Sequence, residues 1–374
     1  MINSPIIFRA PGQYVQGSGA INEIGSYVAQ FGKRVLVAGG RTGLLETRAA
    51  RERGFSVHGI WQVEEFFQGE TSDAEINRIT ELAKRNNCDV IMACGGGKVI
   101  DTVKAAAQQC SIPAVIIPTI ASNDAPCSAL SVVYNEDGTF ARLMPLVSNP
   151  ALVLVDTMII ARAPVRQLVS GMGDALATWF EMDACKVSGA PNTLGGRISL
   201  GTQALARLCL ETVLEYGREA MECCFENRTA PALERVVEAN TFLSGLGFES
   251  GGVAAAHALS ESFSLIPEMH SFTHGEKVAF GLLVHMTLER RSDEVINEIL
   301  HFCVDVGLPV TLGDLAYSPQ GELLRAVAFD AASEGKPSHN LRRGISGDEI
   351  FDAILRADEM GQAIKLNSRL SNSL

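Results

Sequence analysis

The chain has 374 residues, of which 47% are hydrophobic and 20% are charged, and its formal net charge is −12. Its length favours two domains or one large one, and its composition is typical of a compact soluble protein. Basic residues are not clustered, which argues against nucleic acid as a partner, because phosphates are neutralised by grouped Lys and Arg. The acidic net charge and the scattered basic residues fit an enzyme that acts on small molecules.

The nine cysteines are scattered, odd in number and without a CxxC pair. This pattern favours reduced thiols over a disulfide framework. The first residues lack the basic and apolar regions of a signal peptide, and no uncharged apolar stretch reaches the ~18 residues of a membrane span. We therefore expect a cytoplasmic protein that does not enter a membrane.

Up to about residue 160, short β-branched runs alternate with helical patterns. A helix is predicted over 71–86, where Ser72 and Glu75 suggest a capping box. Alternating strands and helices predict a mostly parallel sheet covered on both faces. The predicted strands are 33–40, 55–63, 89–97, 113–119 and 151–156, with a β-hairpin over 131–143.

After about residue 162 the strand signal fades and long helical patterns follow. These patterns cover residues 165–184, 198–217, 232–248, 253–266, 277–291 and 348–361. We therefore predict an α/β domain over residues 1–162, followed by an all-α domain over residues 163–374.

A run of three glycines, Gly95 to Gly97, lies between a predicted strand and the helix that follows it. Glycine lets the backbone approach a ligand closely, and the free N–H groups of a helix N-terminus attract anions. The turn could hold a pyrophosphate, but it is not GxGxxG, and a tight structural turn is the alternative. A second polar loop, 118–131, follows the next strand. Loops at the carboxyl ends of parallel strands line the ligand crevice.

Three residues of the helical half are unusual in their apolar surroundings: Asp174, His257 and His274. Each needs a polar partner if it is buried, because an unpaired buried carboxylate or imidazole is costly. Taken singly, a hydrogen-bonded core histidine or a capping aspartate explains each of them. Together they could form a site of two histidines and one carboxylate, which suits catalytic zinc and also Fe(II).

Several long segments resemble the glycerol dehydrogenases, a zinc-dependent branch of the iron-containing alcohol dehydrogenase superfamily. The segments are APGQYVQG (10–17), GGGKVIDTVKA (95–105), PTIASNDAPCSALSVVY (118–134), GMGDALATWFE (171–181), ERVVEANTFLSGLGFESGG (234–252) and HGEKVAFG (274–281). The resemblance implies a Rossmann-like N-terminal domain and an all-α C-terminal domain, the dehydroquinate synthase-like architecture. It also implies a homo-oligomer that oxidises glycerol to dihydroxyacetone with NAD.

The resemblance implies that Asp174, His257 and His274 ligate the metal and, with Asp124, form the catalytic and substrate-binding set. Thr178 stands where iron-using relatives carry an extra histidine, which favours zinc over Fe(II). The residues that it assigns to the nicotinamide dinucleotide are Gly97, Lys98, Thr119, Ser122, Ser128, Leu130 and Tyr134. We add as cofactor-binding candidates Gly40, Gly95, Gly96 and Asp101.

Three positions depart from the family pattern. Gly40, followed by Arg41, replaces an aspartate that holds the adenosine ribose in many relatives, so NADP is an alternative to NAD. Ser260 replaces a histidine that close relatives place three residues after the first histidine ligand, and Asn123 replaces a threonine. Both changes could alter which alcohol fits.

Other functions remain open from the sequence. A dehydrogenase for another small diol or a hydroxy acid shares all these motifs. A dehydroquinate-synthase-like lyase or a glycerol-1-phosphate dehydrogenase is disfavoured, because its anionic substrate requires more cations than Lys98 and Lys277. A metal-binding scaffold without activity is the non-enzymatic alternative, and His270 is either a proton relay or a solvated loop histidine.

Overall fold

The N-terminal part of the chain is built on a parallel sheet. The computed structural model describes residues 4–319 and 322–371. Its strands are Tyr14–Gly17 (β1), Arg34–Gly39 (β2), Trp61–Phe66 (β3), Val90–Gly95 (β4), Ala114–Pro118 (β5), Leu130–Tyr134 (β6), Phe140–Pro145 (β7) and Leu152–Asp156 (β8). Six of them form a sheet in the order β1-β8-β5-β4-β2-β3, with all neighbours parallel. Strands β6 and β7 form a separate antiparallel hairpin, as predicted.

The α-helices of the described residues alternate with these strands and then continue without them. They are Ile24–Val28 (α1), Arg41–His58 (α2), Asp73–Arg85 (α3), Gly97–Cys110 (α4), Thr157–Arg162 (α5), Val165–Ser188 (α6), Leu200–Phe225 (α7), Pro231–Glu238 (α8), Ser244–Gly251 (α9), Ala255–Ser262 (α10), His274–Glu289 (α11), Asp293–Val306 (α12), Leu323–Ala331 (α13), Ser338–Leu341 (α14) and Gly347–Ser371 (α15). A π-helical turn, Ala239–Leu243, joins α8 to α9. Among residues 4–319 and 322–371, no helix is long and apolar enough to cross a membrane.

The chain divides into two compact units. The α/β unit contains Arg9–Leu168 and Glu219–Gly245, and the helical unit contains the described residues of Met1–Phe8, Val169–Arg218 and Leu246–Leu374. The predicted fold class, a Rossmann-like α/β domain and an all-α domain, is confirmed. The predicted division at residue 162 stays a prediction. A helical pattern does not reveal what the helix packs against, and α8 packs against β1 and α5 of the α/β unit.

The central strands of the sheet are buried on both faces. Strands β4 and β8 are buried along their whole length, and strand β2 is buried at all but its first residue. Continuous apolar runs of this kind are typical of a parallel sheet that is covered by helices on both sides. The carboxyl ends of these strands therefore meet at one edge of the sheet.

The strand predicted over 55–63 is wrong in its first half. Residues 55–58 complete helix α2, and strand β3 begins at Trp61. The helix ends at Gly59, whose φ of 62° belongs to the left-handed region that closes helices. Because the buried Phe55 lies in the last turn of α2, shortly before β3 begins, the two apolar patterns merge in the sequence.

The capping box predicted at the start of α3 is half correct. The Ser72 side chain accepts the N–H of Glu75 at 3.2 Å. The Glu75 carboxylate does not accept the backbone N–H of Ser72, as a capping box requires. It accepts instead the N–H of Gln68 at 2.9 Å and the Arg78 guanidinium at 2.7 Å. An ion pair with Arg78 therefore replaces half of the box.

Candidate metal centre

Helix α6 presents two acidic residues on one face. Asp174 and Glu181 are seven residues apart, close to two helical turns, so their side chains lie one above the other. They are 1% and 0% exposed, on the buried side of this helix. Buried carboxylates require partners from neighbouring elements, and helices α10 and α11 supply them.

Helix α11 begins where its backbone touches helix α6. A Cβ atom on Gly275 would overlap the Ser170 carbonyl oxygen, and one on Gly173 would overlap the carbonyl oxygen of Gly275. Only glycine permits this approach. Thr273 and Glu276 form a complete capping box at the start of α11. His274, the first residue of the helix, is thereby placed beside Asp174.

Helix α10 carries the second histidine and packs closely on α11. A Cβ atom on Gly281 would lie 2.7 Å from the carbonyl oxygen of Ala256, so a larger residue would separate the two helices. This packing brings the His257 and His274 ring centroids to 5.4 Å from each other. Three helices therefore deliver one side chain each to the same point.

The polar atoms of these side chains converge with metal-ligand geometry. Asp174 Oδ1 lies 3.5 Å from His257 Nε2 and 3.2 Å from His274 Nε2, and the three ligand atoms lie within 4.8 Å of one another. Two ligands of a tetrahedral zinc ion are roughly 3.3 Å apart, given metal–ligand bonds of about 2.0 Å. The donor set thus fits a divalent cation such as Zn²⁺ or Fe²⁺. The His274 side chain is 36% exposed, which leaves the centre accessible.

Each histidine is also contacted at its second ring nitrogen. Glu181 Oε2 is hydrogen-bonded to His257 Nδ1, and Ser260 Oγ lies 3.2 Å from His274 Nδ1. Both Nε2 atoms are left facing Asp174. Contacts of this kind orient histidine ligands in metal sites.

Electrostatics keep the carboxylates of the centre ionised. Burial by itself raises the pKa of Asp174, but the His274 and His257 imidazoles outweigh it and hold the pKa well below its usual value. Burial raises and His257 lowers the pKa of Glu181, with a net decrease. Burial lowers and the two carboxylates raise the pKa of His257, with a net increase. An anionic, nitrogen-containing pocket of this kind attracts a cation.

The predicted cofactor residues lie in the α/β unit, mostly at the carboxyl edge of its sheet. Strand β4 has β2 on one side and β5 on the other, and Gly40, the glycine turn and Thr119 follow these three strands. Strand β3 lies beside β2 toward one end of the sheet, whereas β5 lies beside β4 toward the other end, so the order of successive strands reverses between β2 and β4. This change of direction creates the crevice in which open parallel sheets bind ligands.

The glycine turn also has a packing role. A Cβ atom on Gly97 would lie 2.6 Å from Asn123 Nδ2, and one on Gly96 would lie 2.5 Å from the Ile120 side chain. The loop after β5 therefore rests directly on the turn. Lys98, the next residue, is exposed and forms an ion pair with Glu70.

A buried lysine ties several of the candidates to the protein itself. Lys104 Nζ lies 2.9 Å from Asp101 Oδ1 and donates to Ser128 Oγ at 3.3 Å and to the Leu130 carbonyl oxygen. Asp101 Oδ2 accepts the N–H of Val132 at 3.0 Å. Asp101 and Ser128 thus have a clear structural role in shaping the loop. Of the other candidates, Ser122 is buried and Tyr134 ends strand β6.

Asp124, the predicted polyol ligand, is 8% exposed and is contacted by a serine of its own unit. Ser244 Oγ donates to Asp124 Oδ2 at 3.3 Å. Asn240 Nδ2 donates to the carbonyl oxygens of Ala121 and Leu168 at 3.1 and 3.0 Å. Asn240 lies within the π-helical turn that interrupts the helix predicted over 232–248. Such turns recur at functional sites.

Sequence reasoning missed Glu181, Asn240 and Ser244. Glu181 had a usable signal, since it stands seven residues after Asp174 in an apolar helix. The other two had none, because a π-helical turn, which contains Asn240 and directly precedes Ser244, has no recognisable periodicity. His270, considered as a proton relay, is exposed, and its Nε2 lies 2.7 Å from the Ser264 carbonyl oxygen.

Comparison with known proteins places the chain in a family. Residues 11–157 match the model of the iron-containing alcohol dehydrogenases. A glycerol dehydrogenase of Escherichia coli O6:H1 is 45% identical over 357 residues, which cover 95% of this chain and 97% of that protein. A glycolaldehyde reductase of Halobacterium salinarum is 39% identical over 360 residues, covering 96% and 99%.

The fold comparison agrees. The crystal structure of glycerol dehydrogenase from Schizosaccharomyces pombe matches with a TM-score of 0.93 and 34% identity, covering 98% of this chain and 93% of that one. Similarity extends over both compact units and includes the segments that carry the three converging side chains. The chain therefore belongs to the iron-containing alcohol dehydrogenase family.

Proposed function

We propose that the protein is an oxidoreductase that oxidises the secondary hydroxyl of a small vicinal diol, foremost glycerol to dihydroxyacetone, with NAD and zinc. The observation that carries the proposal is the convergence of Asp174, His257 and His274 at one accessible centre. Glycerol as the substrate is supported by 45% identity over nearly the whole chain to a glycerol dehydrogenase.

Asp174, His257 and His274 would hold the metal. Asp174 would contribute one negative charge and the two neutral imidazoles none, so a bound divalent cation would keep part of its positive charge. When bound, the cation would supply Lewis acidity toward the alcohol and the nicotinamide would supply the hydride acceptor. In the metal-free protein the neighbouring imidazoles hold the pKa of the buried Asp174 low, so its carboxylate is already ionised before a cation binds.

Zinc is the metal we propose. Three protein ligands and one accessible position are typical of catalytic zinc. Thr178, one helical turn after Asp174, is buried, and its methyl group fills the space against Gly247 without adding a fourth ligand. This agrees with the expectation that the absence of a histidine at position 178 favours zinc over Fe(II).

Asp124 is proposed to bind the hydroxyl groups of the polyol. Its carboxylate would accept hydrogen bonds from them, and bonds to an ionised acceptor are roughly twice as strong as neutral ones. Ser244 orients this carboxylate through Oδ2. The NAD pyrophosphate is proposed to bind at the glycine turn, where helix α4 begins and its N–H groups are available to an anion.

The test of this function is the appearance of NADH by absorbance. Purified zinc-loaded protein is supplied with glycerol, 1,2-propanediol, 2,3-butanediol or a 2-hydroxy acid, each with NAD⁺ and, in parallel, with NADP⁺. We expect the highest kcat/KM for glycerol with NAD⁺. A higher value for the hydroxy acid would replace the diol with that substrate class, and no turnover of any alcohol would contradict the proposal.

A second candidate is the reduction of a small hydroxy-aldehyde. It is favoured by the 39% identity to a glycolaldehyde reductase over 96% of this chain. The chemistry would be the same kind of hydride transfer in the reducing direction, from NADH to an aldehyde instead of a ketone, and glycolaldehyde likewise carries a hydroxyl group on the carbon next to the carbonyl. Oxidation of NADH by glycolaldehyde with a kcat/KM above that for dihydroxyacetone would support it.

The homo-oligomer and the cytoplasmic location stay predictions. The nine cysteines, all within the described residues, are free thiols, which supports a reducing compartment. An oligomer is testable by light scattering of the purified protein.

A further inference from the structure

Glu181 reaches the metal centre without being one of its ligands. Its Oε2 atom is hydrogen-bonded to Nδ1 of His257, the ring nitrogen that faces away from Asp174. Its Oε1 atom accepts the backbone N–H groups of Ala254 at 2.8 Å and of His257 at 3.0 Å. One buried carboxylate thus contacts both the ring and the backbone of the same histidine.

The contact with Nδ1 fixes which nitrogen of His257 can bind a metal. An ionised carboxylate only accepts hydrogen bonds, so Nδ1 must carry the proton. Metal binding requires the neutral form of the imidazole, which has one protonated nitrogen, so its lone pair is on Nε2, which faces Asp174 and His274. Glu181 selects the tautomer that is competent to ligate.

The contacts with the backbone give Glu181 a second role. Helix α10 has Ala254 at its N-cap, and no side chain of its own caps it. The N–H of the third helical residue, which an N-cap side chain normally satisfies, belongs here to His257. Glu181 supplies the missing cap from helix α6 and so fixes where α10, and with it the histidine, begins.

We propose that Glu181 is the positioning residue of the metal centre, which sets both the tautomer of His257 and the start of the helix that carries it. The inference rests on the proposed metal site and concerns its affinity for zinc. His274 is held less firmly, because its partner Ser260 offers a neutral hydroxyl at 3.2 Å.

Glu181→Gln separates this role from simple packing. If the amide oxygen of Gln accepts the two backbone N–H groups, its NH₂ group donates to Nδ1 and forces the proton onto Nε2. If the amide is reversed, its NH₂ group faces two N–H donors. The volume is conserved in both cases, but no orientation keeps both backbone contacts together with the proton on Nδ1.

Glu289→Gln is the matched control. Glu289 is also a partly buried carboxylate beside a helical histidine, since its Oε2 lies 3.1 Å from Nε2 of His285. His285 is not among the three converging residues. Both variants therefore replace a carboxylate that lies next to a histidine, but only one of these histidines belongs to the candidate centre.

The experiment is a zinc titration of metal-free protein in competition with a chromogenic chelator, without substrate or cofactor. We expect Glu181→Gln to weaken zinc binding by about 10- to 100-fold, the range for partners of metal-ligating histidines. Glu289→Gln is expected to remain within about threefold of the parent protein. Equal affinity of Glu181→Gln and the parent protein would overturn the proposal.

Two further readouts exclude a purely structural effect. The His257 Nδ1–H proton, observed by NMR of zinc-loaded protein with ¹⁵N-labelled histidine, is expected in the parent protein and lost in Glu181→Gln.

Should Glu181→Gln fail to fold, Glu181→Asp retains the carboxylate and is expected to fold with intermediate zinc affinity. Parent-like affinity of Glu181→Asp with its Nδ1–H signal lost would also contradict the proposal. If the zinc affinities of the parent protein and the variants are as expected but glycerol is not oxidised, only the proposed substrate is rejected.

Discussion

Gly40 is the single residue on which the choice of dinucleotide is expected to depend most. It is the N-cap of helix α2 with extended backbone angles of −70° and 160°, and a Cβ atom there would meet nothing within 4 Å. The position therefore accepts any residue without strain. The following Arg41 is exposed and could attract the 2′-phosphate of NADP.

Gly40→Asp is expected to raise the ratio of kcat/KM for NAD⁺ over NADP⁺ by about tenfold or more, the effect of one charge-assisted hydrogen bond. The carboxylate would accept bonds from the ribose hydroxyls and repel a 2′-phosphate. Gly40→Asn is the control, because it has the same size and capping ability without the charge. An equal change of the ratio in both variants would show that charge is not the cause.

Among the elements, the candidate metal centre depends on how closely three helices approach one another. Glycines remove the side chains at the crossings: Gly173 and Gly275 between α6 and α11, and Gly281 between α11 and α10. The histidines can converge on Asp174 only while these backbones remain in contact.

Gly275→Ala is expected to destabilise the protein by about 3 kcal/mol, at the upper end for overpacking, because the new methyl group would overlap backbone. It should also weaken zinc binding, since His274 is the adjacent residue. Thermal unfolding and zinc titration measure the two effects. Gly201→Ala is the control, with only the Ser199 hydroxyl at 3.5 Å, and should be neutral or stabilising by up to about 1 kcal/mol. Unchanged stability of Gly275→Ala would contradict the crossing described above.

Local patterns explain why some elements were predictable and others were not. Continuous apolar runs identified β4 and β8, because burial on both faces leaves a direct trace in the sequence. The short β1 was not predicted as a strand, and the merged pattern at 55–63 hid the end of α2. The contact of Glu181 with Ala254 spans 73 residues. Such a contact depends on how two helices cross, and a local sequence pattern does not predict the crossing.

On the scale of the whole molecule, the sequence and its family resemblance predicted the fold class and brought attention to the three residues that converge. The structure shows that these three side chains converge. It stays a prediction that they act as metal ligands, for Asp174, His257 and His274 alike. The assignment of Glu219–Gly245 to the α/β unit was not predictable, since amphipathic helices look alike whichever core they cover.

The burial of the thiols predicts which cysteines of the chain react rapidly with a thiol reagent. Cys88 and Cys110 are half-buried and the other seven cysteines are buried. Burial raises the pKa of Cys303 to about 12, and burial together with Cys223 raises the pKa of Cys224 to about 11. Because the thiolate is the reactive form, a thiol reagent at neutral pH should label no more than Cys88 and Cys110 rapidly.

All nine thiols should react after unfolding without a reductant. The double variant Cys88→Ser/Cys110→Ser should lose the fast phase completely. Fewer than nine reactive thiols in the unfolded protein would reveal a disulfide and contradict the reducing compartment that we expect.

We propose that diol oxidation by this protein depends on one metal ion held by Asp174, His257 and His274. The most direct measurement is a titration of metal-free protein with zinc while NADH formation from glycerol and NAD⁺ is recorded. We predict that activity rises linearly and stops rising at about one zinc per chain, and that His274→Ala shows no such rise. Full activity of the metal-free protein, or a parent-like titration of His274→Ala, would contradict the account.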